Sequence, residues 1–166
     1  MTFRIVGAAA LALLLASPAV ATAQDLASQM VGVWKRTGSV QKIVATGETS
    51  KPDGENPSGM LTFSRGGNFM WIFIADGRKS PASVPPTDAE RIYLHKTSAY
   101  GGGSYKVNGD KVTLAYTASG NQAWTGLERT MTVQVSDKVL TWISGTPYKT
   151  ADGKDAVATI TFERLE

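Results

Sequence analysis

Few residues in this chain can do chemistry. Its 166 residues include no cysteine and a single histidine, His95, so a thiol nucleophile, a disulfide framework and a transition-metal site built from thiolates or imidazoles are excluded by composition. No Gly-x-Ser-x-Gly elbow presents a serine. The stretch Asp152-Gly153-Lys154-Asp155 lacks the carboxylate density of a calcium loop. Gly101-Gly102-Gly103 does not join a strand to a helix start, as a phosphate cradle must, and reads as a helix exit and strand bend. His95 falls on the side of an expected helix away from Ile92 and reads as a surface residue. Two kinds of chemistry remain. Asp, Glu or Tyr inside a fold can move protons without leaving a regular spacing, as in an isomerase or cyclase, and an arginine held among apolar side chains can anchor an anion. No catalytic residue, metal or cofactor is assigned.

The arginine is concrete. Across Leu127 to Val135 the odd positions are Leu127, Arg129, Met131, Val133 and Val135, while the even ones are Glu128, Thr130, Thr132 and Gln134. Side chains alternate along a strand, so Arg129 shares the apolar face. A guanidinium there needs a carboxylate, carbonyls, an aromatic face, water or the anionic group of a ligand. Pairing within the fold and anchoring a ligand both stay open.

The elements that position these residues read as strands. Extended patterns run over Val33 to Val44, Met60 to Ser64, Phe69 to Ala75, Tyr105 to Val107, Val112 to Ala118, Leu127 to Val135, Val139 to Ser144 and Ala156 to Leu165. Turn residues part them: Arg65-Gly66-Gly67-Asn68, Asn108-Gly109, Ser136-Asp137-Lys138 and a polar stretch with Asp152-Gly153. About eight strands at this spacing indicate an all-β antiparallel barrel or sandwich. One segment differs. Thr87 and Glu90 form a capping box that predicts a short helix from Asp88 to Thr97, with Ala89, Ile92 and Tyr93 on one side. Phe69 to Ile74 is apolar on both faces: one suits a barrel interior, and the outer one calls for cover by that helix or by a second copy of the chain in a homodimer.

The chain starts with a different signal. Arg4, the apolar run Ile5 to Ala16 and the small-x-small site Ala21-Thr22-Ala23 predict a secretory signal peptide over residues 1–23, cleaved between Ala23 and Gln24. The run is about a dozen residues and is broken by Ser17 and Pro18, short of the ~20 that cross a bilayer, so no stable membrane anchor is expected after cleavage. One domain over 24–166, secreted or periplasmic, is the expectation. The whole chain has 17 basic and 14 acidic residues. They are scattered singly with no basic run, and no nucleic-acid partner is expected.

Several pieces in order carry a family resemblance: Gly32-x-Trp34, Ser58-Gly59-Met60-Leu61 before the Gly66-Gly67 turn, Gly103-Ser104-Tyr105, Asn121-Gln122-Ala123-Trp124-Thr125-Gly126 with Arg129, and Phe162-Glu163-Arg164. Over Val31 to Leu165 the chain resembles the lipocalin-like domain family. That implies a calycin-type, eight-stranded up-and-down barrel with one short helix. It implies closure by Gly32, Trp34 and Arg164, the guanidinium packing on the indole. The family's histidine after the Asn-Gly turn is replaced within Val112 to Tyr116, so no histidine role carries over. Parity and the resemblance together place Val40, Tyr105, Val107, Leu114, Tyr116, Met131 and Val133 on the barrel lining, with Arg36 or Arg129 as polar anchor. The expected function is binding of a small, largely apolar or amphipathic molecule in the interior. The alternatives are an acid–base isomerase or cyclase, and a plugged barrel acting as a structural module through an exposed Trp124.

Overall fold

Alternating apolar and polar residues, parted by short turns, form an antiparallel ladder that closes on itself. The computed structural model describes residues 23–150 and 152–166. The leader expected over residues 1–23 lies outside the described residues except for Ala23, which begins helix α1 (Ala23–Met30). Ten strands follow: β1 (Gly32–Ile43), β2 (Thr49–Ser50), β3 (Ser58–Phe63), β4 (Asn68–Ile74), β5 (Ser98–Asn108), β6 (Lys111–Ser119), β7 (Glu128–Ser136), β8 (Val139–Ser144), β9 (Tyr148–Lys149) and β10 (Asp155–Arg164). Their hydrogen-bonded order is β1-β3-β4-β5-β6-β7-β8-β10, and β10 pairs back onto β1. Eight strands thus close an up-and-down barrel, while β2 and β9 are two-residue additions on β1 and β10.

Strand β5 starts well before the extended pattern at Tyr105. Its first half, Ser98 to Ser104, pairs with Ile74 to Asn68 of β4, and its register against β6 shifts between Gly102 and Gly103. Glycine has little intrinsic preference for a strand, so this half carries no alternating signal.

Helix α2 (Asp88–Lys96) has its capping box: Glu90 N–H donates to Thr87 Oγ1, and Thr87 N–H donates to the Glu90 carboxylate at 2.8 Å. Its position corrects the expectation that it covers the outside of β4. Ile74 pairs with Ser98, so the connection carrying α2 leaves and rejoins the ladder at one end of the barrel. There the helix is tied to its own preceding loop, with Ala82 N–H donating to Glu90 and Arg78 to Leu94 O. Ile92 stays exposed on α2, and so do Met60, Met70 and Ile72 on the outer face of β3 and β4.

The opposite end is sealed. Leu26 and Met30 of α1 enter a core with Trp34, Leu61, Phe63, Phe69, Val112, Leu114, Val133, Leu140 and Phe162. Trp34 is fully buried, and its Nε1–H donates to Met30 O at 2.8 Å, stitching helix to barrel. Arg164 pairs with Trp34 across the β1–β10 ladder, and its Cζ lies 4.1 Å from the indole centroid. Its guanidinium donates to Val31 O at 2.9 Å and to Gln29 O. Gly32 has φ +136, and a Cβ there would lie 2.2 Å from Glu166 O, so only glycine lets the C-terminal segment approach. Trp34→Ala removes a fully buried indole and the platform for Arg164, and should cost roughly 3–5 kcal/mol in a denaturant unfolding curve.

Candidate functional site

The half of the barrel away from α1 is hollow, and one irregularity on β1 sets what faces it. The β1–β10 register shifts between Arg36 and Gly38. A bulge there inserts an extra residue and reverses which parity points inward. Trp34 and Arg36 are buried before it; Ser39 and Ile43 are buried after it, with Gln41 half-buried between them. Val40, expected on the lining, is therefore on the outer side and 37% exposed.

The hollow is a cavity of about 610 Å³. Its walls are Trp71 and Phe73 from β4, Tyr116 from β6, Met131 from β7, Trp142 from β8 and Ala158 and Ile160 from β10, with Trp124 and the 144–149 segment at the mouth. The aromatic rings contact one another. Trp71 and Phe73 centroids are 4.4 Å apart, Trp71 and Trp124 6.0 Å, and Phe73 and Trp142 6.2 Å at 70°. Trp71 Nε1–H donates to Tyr116 Oη at 3.3 Å. Gly101 makes room for that phenol, because a Cβ at this position would lie 2.9 Å from Tyr116 Cε1. Trp142 Nε1, buried in the wall, has no hydrogen-bond partner among the described residues.

The two inward arginines differ in their partners. Arg36, 2% exposed, forms an ion pair with Asp53 on the segment between β2 and β3, and its Cζ lies 4.7 Å from the Phe73 centroid. Arg129 has no carboxylate partner among the described residues, and its Cζ lies 4.8 Å from the Trp124 centroid. Burial pushes the Tyr116 phenol pKa up; the Trp71 hydrogen bond and the Arg129 charge oppose this. Tyr148 donates to Gln41 Oε1 at 2.8 Å, and burial followed by the Asp53 charge pushes its pKa up too.

A family model for the lipocalin-like domain matches residues 31–165. The chain belongs to the lipocalin-like domain family. The crystal structure of a lipocalin-like protein from Bacteroides uniformis ATCC 8492 is similar, at 14% identity, over 82% of this chain and 99% of that chain, with a TM-score of 0.42. No curated protein matches the chain.

Within this lipocalin-like barrel the residues singled out from sequence separate by depth and by face. Tyr116, Arg129 and Met131 border the cavity. Tyr105, Val107, Leu114 and Val133 pack in or against the core instead; Tyr105 donates to Ser64 O at 2.9 Å and meets Phe63 edge-on, at the α1 end. Arg36 faces inward but is spent on Asp53. Gly32, Trp34 and Arg164 come together at the sealed end. Sequence reasoning missed Trp142, Ala158 and Ile160 as lining, although Leu140-x-Trp142-x-Ser144 and Ala156-x-Ala158-x-Ile160-x-Phe162 alternate cleanly. The plugged-barrel alternative needs Trp124 as an exposed contact, whereas this residue is half-buried at the mouth.

Two outcomes follow from these partners. Asp53→Ala strands a buried guanidinium and should destabilise by about 2–3 kcal/mol, below the range for a fully enclosed pair because Asp53 is partly exposed; adding Arg36→Met should restore most of it in urea unfolding. The Tyr116 phenol is held protonated in the fold, so its stabilisation is complete below the unfolded pKa of about 10 and lost as pH rises through the higher folded value. Thermal midpoints measured from neutral to strongly alkaline pH should therefore fall less steeply for Tyr116→Phe than for the unaltered protein.

Proposed function

We propose that this barrel carries a small, largely apolar molecule in the open half of its interior, after export directed by residues 1–23. The observation behind the reading is the cavity itself: about 610 Å³ with aromatic walls, within the ~300–1,000 Å³ of small-molecule sites. A ligand that buries ~250 Å² of apolar surface gains about 6 kcal/mol at ~25 cal/mol per Å², a useful sum against the cost of immobilising it. The hollow also favours carriage over a plugged interior, in which core side chains would fill this half as they fill the α1 end.

An acid–base enzyme is the weaker reading. A general base works best with a pKa near the working pH, and the phenols of Tyr116 and Tyr148 are moved further from neutrality.

The neutral fluorophore N-phenyl-1-naphthylamine tests carriage. It should bind saturably at one per barrel with blue-shifted emission and quench tryptophan fluorescence, because several indoles line the site. Ala158→Phe projects a ring into the cavity and should weaken that binding about tenfold or more while the far-ultraviolet spectrum stays unchanged. Absence of saturable binding by the unaltered protein overturns the reading.

A further inference from the structure

We propose that the ligand carries a carboxylate, or an equivalent oxyanion, held at the cavity mouth by Arg129 together with the hydroxyl of Tyr116. This rests on the carriage reading and names the ligand class.

The argument starts from charge balance. Of the two arginines on the inner face, Arg36 already has its counter-ion in Asp53. Arg129 lies on a wall otherwise made of Trp71, Tyr116, Trp124 and Met131, with no ion pair among the described residues. The other charged residues lining the cavity do not compensate it. Glu128, next to it on β7, is exposed at the rim and forms no ion pair with Arg129 among the described residues, and Lys149 is a further cation, paired with Asp155 at 2.9 Å. A half-buried guanidinium without a carboxylate is a standing electrostatic cost unless an anion completes it.

Geometry then says how the anion is held. The Arg129 guanidinium carbon lies over the Trp124 ring, 4.8 Å from its centroid. A cation–π contact does not consume the N–H donors, which stay available to a planar acceptor such as a carboxylate. Arg129 pairs with Leu114 across β6 and β7, and Tyr116 is the next inward residue on β6, so the two are diagonal neighbours on one wall. The Tyr116 oxygen accepts from Trp71 Nε1, which leaves the phenol's own proton to donate. One cation and one neutral hydroxyl donor are thus set beside mutually packed aromatic rings. This is the recognition chemistry of an apolar, ring-bearing carboxylic acid, with its ring inside and its carboxylate toward the rim.

A matched pair of probes tests it: 2-naphthaleneacetate and the uncharged 2-naphthaleneacetamide, titrated calorimetrically at neutral pH. The acid should bind about tenfold tighter or more, as expected for a charge-assisted pair. Arg129→Gln should erase that preference by weakening the acid alone, Arg129→Lys should keep part of it, and Tyr116→Phe should reduce it by a smaller factor. Equal affinity of acid and amide for the unaltered protein overturns the proposal, as does an Arg129→Gln variant that weakens both alike. If that variant does not fold, the unaltered protein still decides: added salt should erode acid binding and spare the amide. Failure of both probes while N-phenyl-1-naphthylamine binds overturns the carboxylate alone; failure of that dye as well removes the carriage reading beneath it.

Discussion

The pairing of β1 with β10, running from Trp34–Arg164 to Ile43–Ala156, is the constraint on which everything else in the molecule depends. Without it the ladder would be an open sheet with two unpaired edges and no enclosed interior. The pairing is fastened at its α1 end by contacts from opposite ends of the chain: Trp34 donates to Met30 O, Arg164 covers the indole, and the same guanidinium binds the Val31 and Gln29 carbonyls. One arginine thus satisfies helix and linker carbonyls that the adjoining core would otherwise leave unpaired. Gly32 permits this by leaving space for Glu166 O.

Sealing one end so tightly lets the other be hollow. Met30, Trp34, Leu61, Val112, Leu114, Leu140 and Phe162 are almost or wholly inaccessible, and a core of that density supplies much of the stability that the barrel needs. Above them the β1 bulge re-aims the strand, so that Ser39, Gln41 and Ile43 replace the residues which unbroken alternation would turn inward. Gly38 lets β10 pass closely there, since a Cβ would lie 2.8 Å from Thr161 Oγ1. Inward polar side chains on both sides of the bulge hold rim segments: Arg36, ahead of it, pairs with Asp53, and Gln41, after it, accepts from Tyr148. The first strand is thereby coupled to two of the segments around the opening.

Where sequence patterns were sharp, the fold was legible in them. Clean alternation over β6, β7 and β8, the Asn108-Gly109 turn and the Thr87–Glu90 box are local signals, and local hydrogen bonding fixes what they describe. The first half of β5 was not legible, because three glycines carry no facial preference and only β4 and β6 on either side make them a strand. Val40 was misplaced for a similar reason: a glycine such as Gly38 marks where a bulge can occur, but whether one forms is set by the pairing with β10. The outer face of β4 called for a cover, but where α2 goes depends on the Ile74–Ser98 pairing, a long-range fact. For the cavity, alternation identified Tyr116, Arg129 and Met131, yet alternation alone cannot say how deep along the barrel an inward residue sits. Leu114 and Val133 share the parity of Tyr116 and Met131 and lie in the packed core.

Depth also separates the two arginines, which alternation treats alike. Arg36 is nearly inaccessible to solvent, where an uncompensated charge would be prohibitive, so the chain brings Asp53 over it and Phe73 beneath it. Arg129 is nearer the mouth and half-buried, where partial hydration and the Trp124 face make an unpaired guanidinium tolerable. No carboxylate among the described residues pairs with it, and walls of tryptophan, phenylalanine and tyrosine lie beside it. In such surroundings its field is less screened than at an open surface, so its charge reaches further into the cavity than that of Arg36, which Asp53 offsets.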